Sequence, residues 1–411
     1  MKKINRHLTV LALGFNGGLI YAFLGVILTA YLNDNRISLA VIGFLSLRML
    51  PYSFKPMWAP FVDNLHIKLF HRNFGQRKAW AITSQCMIIF FVIILGIVNV
   101  QKHINLFFII SLLVAFMYST ADIALDGYRI ELFGKRATSK GGAVTMLGFT
   151  AGLLVSGSFG LYLASVLSWQ TVFFLIIMCL IPGLLVISLS KDNRILKSKN
   201  LPIKFRYWVK ENFTQAVITL FRRDKIIFIL LIIGFYKMSD GYLQTMLIPF
   251  LTQVGFLKVE IAIAKACGTI GTVLGGFAAI KIIKRLGMLR SLLIAEILAA
   301  GSNLLFPLLI FKQNKFLLYV VNSIDTFCGG ICYLVLLTYM SSMCTNKKFT
   351  ASHFAILTSI SVVFRTLLSG TSGWMVNQTG WNYFFIISAA LSLPSILCMY
   401  FLFFRNKKLF T

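Results

Sequence analysis

Five groups of ionisable side chains interrupt stretches of sequence otherwise apolar enough for a lipid bilayer. Arg48, Tyr52 and Lys55 come first, then Asp122 and Asp126 with Arg129, then Lys237, Asp240 and Gln244. Asp325 follows, and Arg365 lies in a polar stripe with Thr358, Ser361 and Ser369. A charge at mid-bilayer costs at least about 3 kcal/mol on insertion scales, so such residues face a bundle interior or a wetted cavity. Two chemistries suit them. Arg48, Lys55, Lys237 and Arg365, with the phenol of Tyr52 and the amide of Gln244, suit an anionic or polyhydroxylated ligand. Asp122, Asp126, Asp240 and Asp325 suit proton carriage, because a carboxylate holds a proton more readily once water is excluded. A plainer alternative stays open: Asp126 can pair with Arg129, and Lys237 with Asp240, each as a lock within the helices. Glu296 reads as a structural partner.

The elements that must position these residues follow from composition. The chain has 411 residues, 58% hydrophobic and only 13% charged, with a mean hydropathy of +0.82. Soluble domains carry about 25% charged residues. The apolar excess comes in blocks of bilayer length, about 20 residues, without the period-2 alternation of a membrane barrel. The fold class is all-α membrane protein. The net charge of +28 lies in the loops between blocks, which argues for the orientation rule of membrane proteins and against nucleic acid. The seven cysteines have no metal spacing and read as small apolar core residues. There is no phosphate-binding G-x-x-x-x-G-K-[ST] loop and no H-E-x-x-H, so no enzyme, metal or cofactor is expected. His66 and His71 read as solvated loop residues.

Twelve transmembrane helices can be drawn, at about 8–32, 39–62, 80–99, 104–127, 141–165, 169–189, 226–250, 260–282, 288–311, 316–343, 351–375 and 382–404. They form an N-terminal six-helix half (1–189), a cytoplasmic basic linker (190–225) and a C-terminal six-helix half (226–411). Lys and Arg crowd one side, with only Arg36, Lys102, Lys258, Lys312 and Lys315 on the other, which places both termini in the cytoplasm. The halves echo each other: Ser156-Gly157-Ser158 precedes Trp169 and Phe173, and Ser369-Gly370-Thr371 precedes Trp381 and Phe384. Two six-helix halves around a midplane site is the architecture of the major facilitator superfamily. In the loop "APFVDNLHIKLFHRNFGQRKAW" (59–80), Asp63, Arg77 and Lys78 resemble that superfamily's gating loop, and Arg129 joins them as a gating candidate.

Longer phrases narrow the resemblance. "IGFLSLRMLPYSFKPMWAPFVD" (42–63), "TADIALDGYRIEL" (120–132), "YKMSDGYLQTMLIPFL" (236–251) and "NKKFTASHFAILTSISVVFRTLLSGTSGW" (346–374) are similar, in order, to the AmpG-type muropeptide permeases. That resemblance implies proton-coupled import of peptidoglycan turnover products, N-acetylglucosaminyl-1,6-anhydro-N-acetylmuramyl peptides, across the bacterial inner membrane. It implies muropeptide, protons and the lipid bilayer as partners, no nucleic acid, and a monomer. The expected motion is alternating access by rocking halves. Two departures stand out: Phe149-Thr150 where the family commonly has an aromatic followed by Arg, and Lys284 where it usually has Asp before Arg-Leu-Gly. A related carrier of another anion, such as acetyl-CoA or an organophosphate, is the alternative.

Overall fold

The computed structural model describes residues 6–64, 76–190, 215–222, 226–343 and 350–405, and the described elements are helical throughout. Among them, ten helical stretches are long and apolar enough to cross a bilayer. Large apolar side chains such as Ile97, Ile227 and Phe316 stand exposed along them. That suits helices whose backbone polar groups are satisfied internally and whose outer faces meet hydrocarbon.

The expected spans 2 and 11 are the ones that fall short of that length. In the first, helix α1 (Leu39–Leu45) is cut off by a 3-10 turn, Ser46–Met49, before α2 (Leu50–Asn64) begins. In the second, α3 (Thr350–Ser369) is followed by a turn at Gly370-Thr371. The next helix, Ser372–Ala390, is broken inside at Gly380, whose φ of 73° only glycine adopts without strain. The last turns before Gly380 therefore continue span 11, and Trp381 begins span 12.

Helical residues run without a gap from Ile104 to Leu153 (α4), yet the expected spans 4 and 5 are two separate spans, Ile104–Arg129 and Val144–Leu163. A Cβ at Gly17 would lie within 4 Å of both Tyr118 and Phe149. Along a straight helix those two residues would stand about 46 Å apart, so the chain turns back between the spans. The loop 65–75, most of the linker 190–225 and the C-terminal 406–411 lie outside the described residues.

The chain gathers into two compact units. Unit 1 takes Met1–Ser38, Arg48–Ser198 and Leu257–Lys265; unit 2 takes Leu39–Leu47, Lys199–Phe256 and Ala266–Thr411. In unit 1, helix α5 (Arg6–Ala22) lies along α4. Gly14 and Gly18 on one helix, and Gly148 and Gly152 on the other, let the backbones touch, since a Cβ at any of the four would overlap main-chain atoms of the partner. Two small-xxx-small pairs facing each other are the standard means of close helix approach in lipid. In unit 2, α1 lies against the helix at Gly373, with Gly43 at the contact.

Each unit also holds one aromatic knot tied by an indole hydrogen bond. In unit 1, Tyr31, Phe107, Trp169 and Phe173 pack together, and the Trp169 N–H donates to Asp34 at 3.0 Å. In unit 2, Phe250, Phe306, Trp381 and Phe385 pack together, and the Trp381 N–H donates to Gln253 at 2.8 Å.

Candidate functional site

In unit 1 the Lys55 ammonium meets the Asp122 carboxylate at 2.7 Å, and the Tyr52 hydroxyl donates to the same oxygen at 3.1 Å. Lys55 also lies 4.6 Å from the centre of the Tyr52 ring, and Tyr52 stacks on Tyr118 at 5.4 Å. Helix periodicity explains the grouping: Tyr52 and Lys55 are three apart on α2, and Tyr118 and Asp122 four apart on α4, so each pair shares a face. Behind Asp122 lies a cavity of about 30 Å³ lined by Asn16, Gln85, Tyr118 and Leu180, among others. Asn16 donates to Gln85 and to the Leu180 carbonyl, while its own side-chain oxygen is buried and has no partner among the described residues.

Arg48, grouped with Tyr52 and Lys55 along the sequence, donates hydrogen bonds elsewhere. The 3-10 turn at Ser46–Met49 changes the helical register between them. Arg48 is only 3% exposed and donates to the Leu24 carbonyl, with Nε at 2.9 Å, and to the Thr29 hydroxyl at 3.2 Å. Leu24 belongs to a π turn, Phe23–Ile27. Such turns open the backbone hydrogen-bond ladder, and here the guanidinium satisfies a carbonyl in one.

One helical turn beyond Asp122, the Asp126 carboxylate pairs with Arg129 at 3.0 Å and is 46% exposed, so this pair is wetter than Lys55–Asp122. The Arg77 guanidinium lies against Gly127, where a Cβ would collide with it. Lys78 is buried and donates to the Ser190 carbonyl, and Tyr128 and Ser190 share a hydroxyl contact at 3.2 Å. The gating candidates Arg77 and Arg129 thus meet α4 within one turn of each other. The side chain of Asp63 lies outside the described residues.

In unit 2, helix α6 (Ile226–Phe235) stops and α7 (Met238–Val254) starts across Tyr236-Lys237. Lys237 sits in the left-handed region, with φ 59° and ψ 17°. Its ammonium pairs with Asp240 at 2.9 Å and donates to the Gly329 carbonyl at 3.1 Å. One turn on, Gln244 donates to Asp325 at 3.2 Å, and the Ser302 hydroxyl donates to the other oxygen of Asp325 at 2.9 Å. Arg365 of α3 runs its stem over Gly241, where the missing Cβ leaves room, and makes no hydrogen bond or ion pair among the described residues. Ser369, one turn later, donates to the Gly241 carbonyl at 3.1 Å.

Each unit therefore places a lysine–aspartate pair beside further polar groups, and unit 2 adds a cation with its guanidinium uncommitted. The partners that the sequence reading missed are Tyr118, Asn16, Gln85 and Ser302. Asn16 and Gln85 carried the same signal as the charges, a polar residue in an apolar span. Among the described residues no cluster of His, Cys, Asp and Glu is arranged to hold a metal.

The sequence pattern of the Major Facilitator Superfamily matches residues 8–364. The chain belongs to the Major Facilitator Superfamily. It is a multi-pass membrane transporter for a small molecule, not an enzyme. It is similar to the putative transporter AmpG 4 of Rickettsia conorii, with 29% identity across 97% of this chain and 96% of that protein. It is similar also to the anhydromuropeptide permease of Escherichia coli K12, with 28% identity across 96% of this chain and 79% of that one. Among solved superfamily structures, the nucleoside transporter NupG has the same fold, with a TM-score of 0.75 and 13% identity over 97% of this chain and 99% of that one.

Proposed function

We propose that this superfamily transporter imports anhydromuropeptides, the sugar–peptide fragments of peptidoglycan turnover, across the bacterial inner membrane in symport with protons, and that it works as a monomer. The observation that carries the reading is Arg365: a guanidinium inside an apolar span, without a hydrogen bond or ion pair among the described residues, one turn from Ser369 and beside the Lys237–Asp240 pair. An uncompensated cation at that depth is costly to keep, and a carboxylate-bearing cargo supplies the partner. Muropeptides combine peptide carboxylates with sugar hydroxyls, which suits cations set among amide and hydroxyl groups. The similarity, along nearly the whole of this chain, to proteins named AmpG and anhydromuropeptide permease supports the same cargo class.

In this reading Tyr52, Lys55, Lys237, Gln244 and Arg365 contact cargo, and Arg48 braces the π turn. Asp122, Asp126, Asp240 and Asp325 are the proton carriers. A carboxylate paired with lysine is suited to coupling, because protonating it releases the ammonium for an anionic ligand. Alternating access then exposes these groups to each side of the membrane in turn.

Expression in a strain lacking its own muropeptide permease tests the cargo. The expected result is that anhydromuropeptides cease to accumulate in the medium and that the R365A variant fails to restore recovery. Continued loss to the medium, with uptake instead blocked by coenzyme A derivatives, would indicate a carrier of another anion.

A further inference from the structure

The break between α6 and α7 is held from outside the helix. At Lys237 the chain takes a left-handed conformation that is strained for a non-glycine residue and persists only where surroundings enforce it. The sequence around it, Tyr236-Lys237-Met238-Ser239, contains neither glycine nor proline to explain a break. What meets the break is a carboxylate. Glu296, on the helix Met288–Asn303, is 0% exposed, and one of its oxygens accepts the backbone N–H of Lys237 at 3.3 Å.

The other hydrogen-bond donors to Glu296 among the described residues are neutral, while the Lys237 ammonium acts on it through charge without forming a direct ion pair. The Cys332 thiol donates to the same oxygen at 3.3 Å, and the Ser395 hydroxyl donates to the other at 3.2 Å. The neighbouring Tyr236 spends its hydroxyl on the Leu292 carbonyl, one turn before Glu296. A completely buried acid with no direct ion pair among the described residues is costly to hold in that interior. Its structural effect lies in one place: it supplies the acceptor for an amide that the broken helix leaves unpaired. That amide belongs to the residue whose ammonium reaches Asp240 and the Gly329 carbonyl.

We infer that Glu296 is the positioning residue for Lys237: its carboxylate pins the left-handed turn in span 7 and so aims the Lys237 ammonium. The inference rests on the reading of Lys237 as a cargo contact, and it deepens that reading by naming the group that sets where the cation points.

The test uses the full-length transporter in proteoliposomes, with labelled anhydromuropeptide as probe, and compares E296M, E296Q, K237A and E296M/K237A. Methionine fills the volume without accepting the amide proton; glutamine keeps an acceptor oxygen. E296M is expected to raise KM for uptake by about tenfold or more, as K237A does, with little change in kcat. The double variant is expected to be no worse than K237A alone, since residues acting through one another do not add. E296Q is expected to stay within about twofold of the parent. In parallel, hydrogen exchange in the 235–240 segment should quicken in E296M and not in E296Q.

Multiplicative losses in the double variant, or unchanged exchange in E296M, would overturn the inference. Normal uptake by K237A together with faster exchange in E296M would overturn the cargo role of Lys237 and leave the positioning role standing. If E296M does not reach the membrane folded, E296M/K237G should, because glycine takes the left-handed turn unaided. Failure of that double variant to fold would also count against the inference.

Discussion

Lys55 and Asp122 meet at 2.7 Å and tie α2 to α4 inside unit 1, with Tyr52 donating to the same carboxylate oxygen. The two side chains are only about a quarter exposed. Removing one partner of a mostly buried pair leaves the other unmatched at a cost near the low end of the 3–5 kcal/mol seen for fully buried pairs. D122N is therefore expected to lower uptake by at least about tenfold and to weaken its response to a pH gradient. K55M/D122N should recover most of the lost thermal stability, measured in detergent, and little of the transport. Equal stability loss in the single and double variants would remove the pair from the account.

Arg365 behaves differently from the paired charges. It makes no hydrogen bond or ion pair among the described residues, so R365A should leave the melting temperature within about 2 °C of the parent. The same change should raise KM by about tenfold or more. R365K should restore part of the affinity, since it keeps the charge but loses the planar fork that binds a carboxylate through two parallel hydrogen bonds. Concentration-dependent uptake separates KM from kcat here.

Glycine contacts set the stability of unit 1. A side chain at Gly148 would run into the Leu11 carbonyl, and one at Gly18 into that of Phe149. G148V is expected to abolish accumulation of folded protein in the membrane, because α5 and α4 must separate and lose their packing. G142V, where a Cβ meets nothing within 4 Å, is the control that should accumulate normally. Fluorescence-detected size exclusion compares the two.

At the sparsely charged end of unit 1, Asp34 accepts from the Trp169 indole and pairs with Lys258, whose ammonium also reaches the Ala164 carbonyl and lies 5.1 Å from the Trp169 ring centre. The pair holds the start of the helix Lys258–Leu286 on unit 1. Both side chains are part-exposed, so K258Q is expected to cost no more than about 1 kcal/mol of stability. It should nevertheless speed labelling of a cysteine placed at position 261 by hydrophilic thiol reagents. Unchanged labelling would show that the pair does not hold that helix start.

Much of this was legible from the chain alone. Bilayer-length apolar blocks dictate helices, and charges inside them marked Lys55, Asp122, Lys237, Asp240, Asp325 and Arg365. The pairing of Lys55 with Asp122 was not legible, because spacing along a helix says which residues share a face and nothing about which face it meets. That Arg48 reaches the Leu24 carbonyl was not legible either, because a 3-10 turn leaves no clear signal in "SLRM". The separation of spans 4 and 5 was legible, because the charges between them mark a connection, and Ile104–Arg129 and Val144–Leu163 are distinct spans. The break at Lys237 had no sequence signal at all: its cause, Glu296, lies 59 residues away.

The central claim is that wetted, paired charges in these spans couple a proton to an anionic sugar–peptide. Uptake of labelled anhydromuropeptide by membrane vesicles containing the transporter, with and without an imposed inward proton gradient, measures it directly. The account predicts accumulation that collapses on adding a protonophore and is lost in D122N. Accumulation indifferent to the protonophore, or no muropeptide uptake by a folded transporter, would contradict it.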